Sequence, residues 1–155
     1  MADHYIYSPE TIIKAYSLGL FPMADSHDSV NIKFYDPDRR ALIPIDHSLG
    51  RGVHIPRRLQ RRVRQAPYDV TLDQNFTAVI DACAAPSGQR TDTWINRDIR
   101  QLYIALHKMG FAHSIEVWSD GALIGGLYGV ALRAAFLASR CFRAKAMPRK
   151  SRLFI

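Results

Sequence analysis

A helix followed directly by a β-hairpin, between residues 96 and 132, constrains the fold more than any other feature of the sequence. Asn96 is a good N-cap for this helix, and Gly110 is a good residue just beyond its end. The apolar side chains between them recur on one helical face: Ile99, Leu102, Tyr103, Leu106 and Met109. Residues 113–118 are typical of a strand, Asp120-Gly121 is a strong two-residue hairpin signal, and residues 122–132 are the expected returning strand. A helix followed by an antiparallel hairpin predicts an α+β fold.

Glycines interrupt the returning strand at Gly125-Gly126 and again at Gly129. Inside a strand, such glycines indicate a β-bulge or the close approach of another backbone. The segment lacks the lysine and the serine or threonine that a phosphate-binding P-loop needs. We therefore interpret these glycines as structural.

Shorter signals predict further elements before this helix. Ser8-Pro9-Glu10 is typical of a helix start, and Gly19 with Pro22 ends that helix. The other predicted elements are a strand at 41–43, a helix opened by Pro56 with Leu59 and Val63 facing inward, a strand at 68–72 and a helix at 75–84.

Length and composition narrow the class of protein. The chain has 155 residues, about the size of one domain, and its 48% of hydrophobic and 23% of charged residues argue against a disordered chain. No apolar run approaches the ~20 residues of a membrane span, and the N-terminus lacks the features of a signal peptide. Cys83 and Cys141 form no ligand pattern with the six histidines. We expect a reduced, cytoplasmic protein without a metal and without membrane attachment.

The formal net charge of +7 is concentrated at the C-terminal end of the sequence. Residues 133–155 hold seven basic and no acidic residues, whereas residues 1–132 hold 14 of each sign. The body of the protein is therefore neutral, and the basic tail needs an explanation of its own.

Four arginines follow Pro56 as two like-charged i,i+4 pairs: Arg57, Arg58, Arg61 and Arg62. Such pairs slightly destabilise an isolated helix, so they indicate either a polyanion-binding surface or a solvated helix face. Trp94 and Tyr103 can stack on a nucleobase or pack in the core. The residues alone leave both alternatives open.

Five motifs occur in the order and spacing of one protein family: Ala15-Tyr16 with Gly19-Leu20-Phe21-Pro22, Asp36-Pro37-Asp38-Arg39-Arg40, Thr93-Trp94-Ile95-Asn96, His113-Ser114-Ile115-Glu116-Val117-Trp118 and Gly125-Gly126-Leu127-Tyr128-Gly129-Val130. Through them, residues 5–131 resemble the leucyl/phenylalanyl-tRNA–protein transferases. Those enzymes transfer leucine or phenylalanine, and also methionine, from aminoacyl-tRNA to the N-terminal arginine or lysine of acceptor proteins. This transfer marks the acceptor for degradation under the N-end rule.

The resemblance implies an N-terminal domain over residues 1–66 and the beginning of an acetyltransferase-like catalytic domain over 67–132. It implies a monomer that uses no cofactor, because the aminoacyl ester is already activated for attack by an amine. The site for the terminal adenosine and its amino acid would include Tyr16, Met23, Trp94 and Tyr103, with Leu127 and Phe136 as walls of the amino-acid pocket. Many members have tryptophan where Met23 stands, which weakens stacking there. Arg57, Arg58, Arg61 and Arg62 would bind the tRNA acceptor stem.

The sequence departs from the family after Ala131. Where the family continues with Phe-Phe-Gly-Glu-Ser-Met-Phe-Ser-Arg and then Asp-Ala-Ser-Lys, this chain reads Phe-Leu-Ala-Ser-Arg-Cys-Phe-Arg over residues 136–143. Residues 138–143 can be encoded by GCG AGT CGA TGT TTT CGC, and reading one base earlier gives Glu-Ser-Met-Phe-Ser. The same shift turns residues 146–150 into a possible Asp-Ala-Ser-Lys. These matches indicate the loss of one base near the codon for Arg133, and a tail that is out of frame.

The frameshift interpretation has two consequences. Residues 133–155 should pack poorly and be irregular, and a family glutamate that would fall at Ser139 is absent, so we expect a truncated, inactive transferase. A real basic tail that binds nucleic acid is the competing interpretation of residues 133–155. The alternative functions are a tRNA-binding module without transfer activity and an acetyl-CoA-type acyltransferase, for which the sequence contains no pyrophosphate loop of the Gln/Arg-x-x-Gly-x-Gly/Ala kind.

Overall fold

The computed structural model describes residues 7–43, 55–65, 68–86 and 91–143, which form helices and two antiparallel sheets. The described elements, in chain order, are α1 Pro9–Ser17, β1 Phe21–Ala24, β2 Ile32–Tyr35, α2 Arg57–Gln65, β3 Asp69–Leu72, α3 Phe76–Ala84, α4 Arg97–Lys108, β4 Ala112–Ser119, β5 Ala122–Leu132 and β6 Ala135–Arg143. Strands β1 and β2 form a hairpin, and β3-β4-β5-β6 form a four-stranded antiparallel sheet in that order. The predicted α+β class is confirmed.

Two helix starts have the caps that the sequence predicts. The Ser8 hydroxyl accepts a hydrogen bond from the Thr11 amide at 3.3 Å, and the Asn96 side chain accepts one from the Ile99 amide at 2.8 Å. Helix α3 is capped in the same way by Asn75. These side chains satisfy amides that have no partner within their helices, which fixes where each helix begins.

The predicted hairpin turn and both effects expected of the glycines are present. Asp120 and Gly121 have positive φ angles of 50° and 75°, as a type I′ turn requires. The β4–β5 register shifts beside Gly125, which marks a bulge. A Cβ atom at Gly126 would lie 2.9 Å from the Ile115 carbonyl oxygen, so only glycine allows the two strands to approach this closely.

Two expectations about apolar segments are wrong. Residues 41–43 form no strand, and Leu42 is 88% exposed, because no neighbouring strand among the described residues pairs with so short a segment. Leu59 and Val63 do not face inward; both are exposed, and neither belongs to the hydrophobic core. Met109, the C-cap residue of α4, is exposed although its spacing places it on the apolar face of the helix.

The expectation that the chain is irregular from residue 133 is also wrong for residues 135–143. These residues form β6, which pairs with β5 along most of its length. Arg133 adopts a φ of 52° in the tight turn, and β5 offers an edge of backbone hydrogen-bonding groups on which any extended segment can pair. Residues 144–155 lie outside the described part of the chain.

A single hydrophobic core includes residues from both of the predicted domains. Ile12 and Tyr16 of α1 belong to the same buried cluster as Phe76 of α3 and Tyr103 of α4. Helices α3 and α4 pack against one face of the four-stranded sheet, and α1 packs against α4. No described helix combines the length and apolar character needed to cross a membrane. The division into domains at residue 66 stays a prediction.

Candidate functional site

Three hydroxyl groups from distant parts of the chain meet beside β6. The phenol oxygen of Tyr16 on α1 is hydrogen-bonded to that of Tyr103 on α4. The Ser139 hydroxyl on β6 lies 3.1 Å from the Tyr16 oxygen and 3.3 Å from the Tyr103 oxygen. We call Tyr16, Tyr103 and Ser139 the hydroxyl cluster. It joins two residues that the resemblance places in the aminoacyl-adenosine site to Ser139, where the frameshift interpretation expects a glutamate.

A β-bulge in β6 directs Ser139 toward this cluster. Tyr128 of β5 is opposite Arg140 and Gly129 is opposite Ala138, so Ser139 is the extra residue between them. A bulge lets consecutive residues turn toward the same face of a sheet, and bulges are common next to active sites. Both Ser139 and Arg140 therefore reach the helix-covered face.

The phenols of the cluster are neutral groups at physiological pH. Burial raises the pKa of Tyr103 well above its usual value, and the nearby Tyr16 and Tyr128 phenols raise it further. Burial also raises the pKa of Tyr16, against the opposing effect of its hydrogen bonds with Ser139 and Tyr103. The cluster can therefore donate and accept hydrogen bonds, but it holds no carboxylate that could pair with a cationic substrate.

Tyr128 extends the aromatic packing behind the cluster. Its ring packs edge-to-face on Tyr103 with centroids 5.1 Å apart, and in the same way on Phe76 at 5.9 Å. Its hydroxyl is buried and has no hydrogen-bond partner among the described residues. The sequence analysis did not predict Tyr128 as a site residue, because the sequence of a strand does not indicate which groups a tyrosine hydroxyl lies near in the fold.

Trp94 lies in the segment before α4, and the side chain of Arg140, the residue after Ser139, lies over its ring. The guanidinium carbon of Arg140 is 5.7 Å from the centre of the Trp94 ring, and Arg140 Nη1 donates to Thr93 Oγ1 at 3.3 Å. Such a cation–π contact holds a guanidinium in place. Sequence analysis did not predict Arg140 as a site residue, because its neighbours lie about 45 residues away in the chain.

The remaining residues predicted for the amino-acid site are not joined to the hydroxyl cluster by a described contact. Met23 is half-buried on β1. Leu127 precedes the fully buried Tyr128, so the alternation of β5 places it on the opposite face of the sheet. Phe136 is 41% exposed and reaches over Gly129 on that same outer face. The roles of Met23, Leu127 and Phe136 stay predictions.

The predicted arginine helix forms as α2. Arg57, Arg58 and Arg61 are exposed, and the helix carries no acidic residue. Arg62 lies within the helix, but its side chain is outside the described part of the structure. An exposed helix with only cationic charges fits the polyanion interpretation as well as the solvated-face one.

Two polar networks explain why part of the His113–Trp118 motif has the residues it has. Glu116 is fully buried and accepts hydrogen bonds from Thr71 Oγ1 at 2.6 Å and from Ser114 Oγ at 2.5 Å. His113 Nδ1 lies 2.7 Å from a carboxylate oxygen of Asp73. These contacts connect β4 to the loop and strand before α3, so we interpret them as structural. The described residues contain no cluster of histidine, cysteine and acidic side chains that could hold a metal.

Comparison with known proteins identifies relatives across most of the chain. The family model "Leucyl/phenylalanyl-tRNA protein transferase N-terminal domain" matches residues 6–38, and the model "Leucyl/phenylalanyl-tRNA protein transferase" matches residues 49–154. A curated leucyl/phenylalanyl-tRNA–protein transferase from Rhodopseudomonas palustris (strain TIE-1) is 48% identical over 135 residues, 87% of this chain and 58% of the relative. One from Hyphomonas neptunium is 48% identical over 136 residues, 88% of this chain and 51% of the relative. The chain thus spans little more than half the length of these relatives.

Proposed function

The chain belongs to the leucyl/phenylalanyl-tRNA–protein transferase family, and on that premise we propose that the hydroxyl cluster forms part of a site for the aminoacylated 3′ end of leucyl- or phenylalanyl-tRNA. The observation that carries the proposal is the meeting of Tyr16, Tyr103 and Ser139, with the neighbouring Arg140 over the Trp94 ring. Neutral hydroxyls suit ribose hydroxyls and an ester carbonyl, which are uncharged hydrogen-bonding groups. An indole ring beside them suits an adenine base, because base–aromatic stacking contributes about 1–3 kcal/mol per base.

We further propose that α2 binds phosphates of the tRNA acceptor stem. Its exposed arginines, Arg57, Arg58 and Arg61, are not paired with acidic side chains in the described part of the chain. Each phosphate contact releases a counterion, so such binding weakens as salt rises. The hydroxyl cluster would then discriminate the aminoacyl end while the helix supplies much of the affinity.

The reaction of the family needs little chemical catalysis from the protein, because the aminoacyl ester is already activated. Attack of the acceptor's α-amine on the ester forms an amide and releases the tRNA 3′ hydroxyl, without a cofactor. With a pKa of about 8, that amine is partly neutral at pH 7, and positioning supplies much of the rate. The acceptor's N-terminal arginine or lysine is a cation, and an acidic side chain is the group that would hold it. In the hydroxyl cluster that position is Ser139, which has no charge.

We therefore propose that this chain binds aminoacyl-tRNA without transferring its amino acid, as expected if residues from about 133 onward are read out of frame. With the frame restored, it would act as a cytoplasmic, monomeric transferase that modifies N-terminal arginine and lysine for N-end-rule degradation. The four-stranded sheet with α3 and α4 on one face would be the beginning of an acetyltransferase-like domain. Formation of β6 removes one of the two consequences expected of the frameshift, so the frameshift proposal rests on the match in the other reading frame and on Ser139 in place of a glutamate.

Binding of tRNA to the purified chain, measured over a range of salt concentrations, tests this proposal. The double variant Arg57→Ala/Arg61→Ala should weaken binding and lower the slope of log K against log salt by one to two units. The control Lys14→Ala/Arg97→Ala removes the same charge from exposed positions on α1 and α4, and should leave the slope nearly unchanged. Equal slopes for the two double variants would return α2 to the solvated-face interpretation.

A further inference from the structure

Arg140 is a cation at the edge of the proposed site, and the family reaction as described above does not use it. In the reading frame that matches the family this position would be serine, so the resemblance assigns no role to the arginine. Its guanidinium lies over the Trp94 ring and donates to Thr93 Oγ1. The described residues provide no carboxylate within ion-pairing distance of it. The nearby Asp92 carboxylate instead accepts hydrogen bonds from the backbone amides of His27 and Thr93.

A half-buried guanidinium held by stacking has donors left for a ligand. Arginine carries five N–H donors, and one of them is used by Thr93 in the described structure. The planar fork matches two oxygens of a phosphate, and stacking on an indole reduces the conformational freedom lost on binding. A phosphate is therefore the ligand chemistry that best fits Arg140.

We propose that Arg140 binds a phosphate of the single-stranded 3′ end of the tRNA. This inference rests on the proposed function, because it takes the hydroxyl cluster as the site of the terminal adenosine. Ser139 and Arg140 reach the same face through the β6 bulge, so a nucleotide whose sugar contacts Ser139 brings its phosphate close to Arg140. Together the two residues invert the charge of the site: a carboxylate would attract a cationic acceptor, whereas Arg140 attracts RNA and repels that acceptor.

The test compares two RNAs and two variants of the full chain. The RNAs are an intact leucine-accepting tRNA and the same tRNA without its three 3′-terminal nucleotides. Arg140→Gln keeps a planar amide that can stack but removes the charge, and Arg143→Gln makes the same change at the exposed end of β6. Thermal unfolding checks that each variant folds, and Arg140→Lys, which keeps the charge without the fork, provides a second variant.

We expect the unmodified chain to bind intact tRNA more tightly than the shortened tRNA. Arg140→Gln should weaken binding of intact tRNA about ten-fold and lower its salt slope by about one unit, with little effect on the shortened tRNA. Arg143→Gln should preserve the difference between the RNAs. Arg140→Lys should keep the salt slope and lose part of the affinity.

Four outcomes would overturn the inference. Arg140→Gln could leave binding unchanged, or it could weaken binding of both RNAs equally, which would place the contact away from the 3′ end. Arg143→Gln could reduce the preference for intact tRNA as much as Arg140→Gln does, which would attribute the effect to the charge of β6 in general and not to Arg140. If the unmodified chain does not distinguish the two RNAs, the proposed 3′-end site fails together with this inference; in the first two outcomes that site stands.

Discussion

Replacing Gly129 by alanine tests whether β6 pairs with β5 as described. A Cβ atom at this position would lie 2.4 Å from the Leu137 carbonyl oxygen, 2.7 Å from Phe136 Cζ and 3.0 Å from Ala138 Cα. Two of these atoms belong to the β6 backbone, so no side-chain rotation relieves the clash. The strand would have to move outward, and such overpacking typically costs about 1–3 kcal/mol.

Urea unfolding of the full chain measures that cost. With a loss of about 2 kcal/mol and an m value of about 2 kcal/mol per molar urea, the unfolding midpoint should fall by roughly 1 M. Gly125→Ala in the same strand is the matched control, because its Cβ would lie 3.6 Å from the Phe142 carbonyl oxygen and 3.8 Å from Val117 Cβ, which are ordinary contacts. That variant should be neutral, or slightly stabilising because alanine restricts the unfolded chain. Equal midpoints for the two variants would refute the pairing and support an irregular segment after residue 132.

Two further predictions concern the buried hydroxyl of Tyr128 and the half-buried carboxylate of Asp73. Tyr128→Phe removes a hydroxyl that is buried without a hydrogen-bond partner among the described residues. The variant should therefore raise the free energy of unfolding, measured by urea titration, by up to about 1–3 kcal/mol. A lower free energy of unfolding would show that the hydroxyl has a hydrogen-bond partner. Burial raises the pKa of Asp73, but the hydrogen bonds from His113 and the Ser114 amide and the charges of His113 and His107 lower it by more, so this pKa is below its usual value in the folded protein. Asp73 therefore stabilises the fold above its unfolded pKa of about 3.9. This contribution is lost as the pH falls through the lower folded pKa. Asp73→Asn, which tolerates the φ of 56°, should therefore destabilise the protein at pH 7 but less at pH 3, and a loss that does not depend on pH would contradict this.

Local sequence signals predicted most of the helices and the central hairpin correctly. Asn96 and Gly110 bracket α4 to within two residues, and Asp120-Gly121 turns with the expected φ angles. These features depend on interactions between residues close in sequence, such as a cap with the third amide after it. They can therefore be derived without knowing the rest of the fold.

The errors arose where the structure depends on distant residues. Leu59 and Val63 have helical spacing, yet spacing does not provide a surface for them to pack on. We expected an irregular tail because codons that can encode it would spell a family motif in another frame, but the edge of β5 pairs with residues 135–143. Strand formation there needs a neighbouring strand and extended backbone rather than a family motif.

The residues of the candidate site also fall into those that the sequence indicated and those that it did not. The resemblance selected Tyr16 and Tyr103, and the structure brings their hydroxyls together across 87 residues of sequence. It could not indicate that Arg140 would lie over Trp94, because the two residues are far apart in the sequence and the resemblance assigns no role to Arg140. Tyr128 is part of a family motif, but the sequence analysis gave it no role in the site. Its buried hydroxyl lies behind the cluster.

Transfer of leucine from leucyl-tRNA to a peptide that begins with arginine tests the central claim most directly. The absent carboxylate would contribute a charge-assisted hydrogen bond of roughly 1.5–3 kcal/mol to the acceptor's cation, and Ser139 offers only a neutral hydroxyl. We predict no transfer above background by the 155-residue chain, and transfer once the single base and the downstream codons that it brings back into frame are restored. Transfer by the present chain at a rate near that of the restored enzyme would contradict both the frameshift and the role given to the missing glutamate.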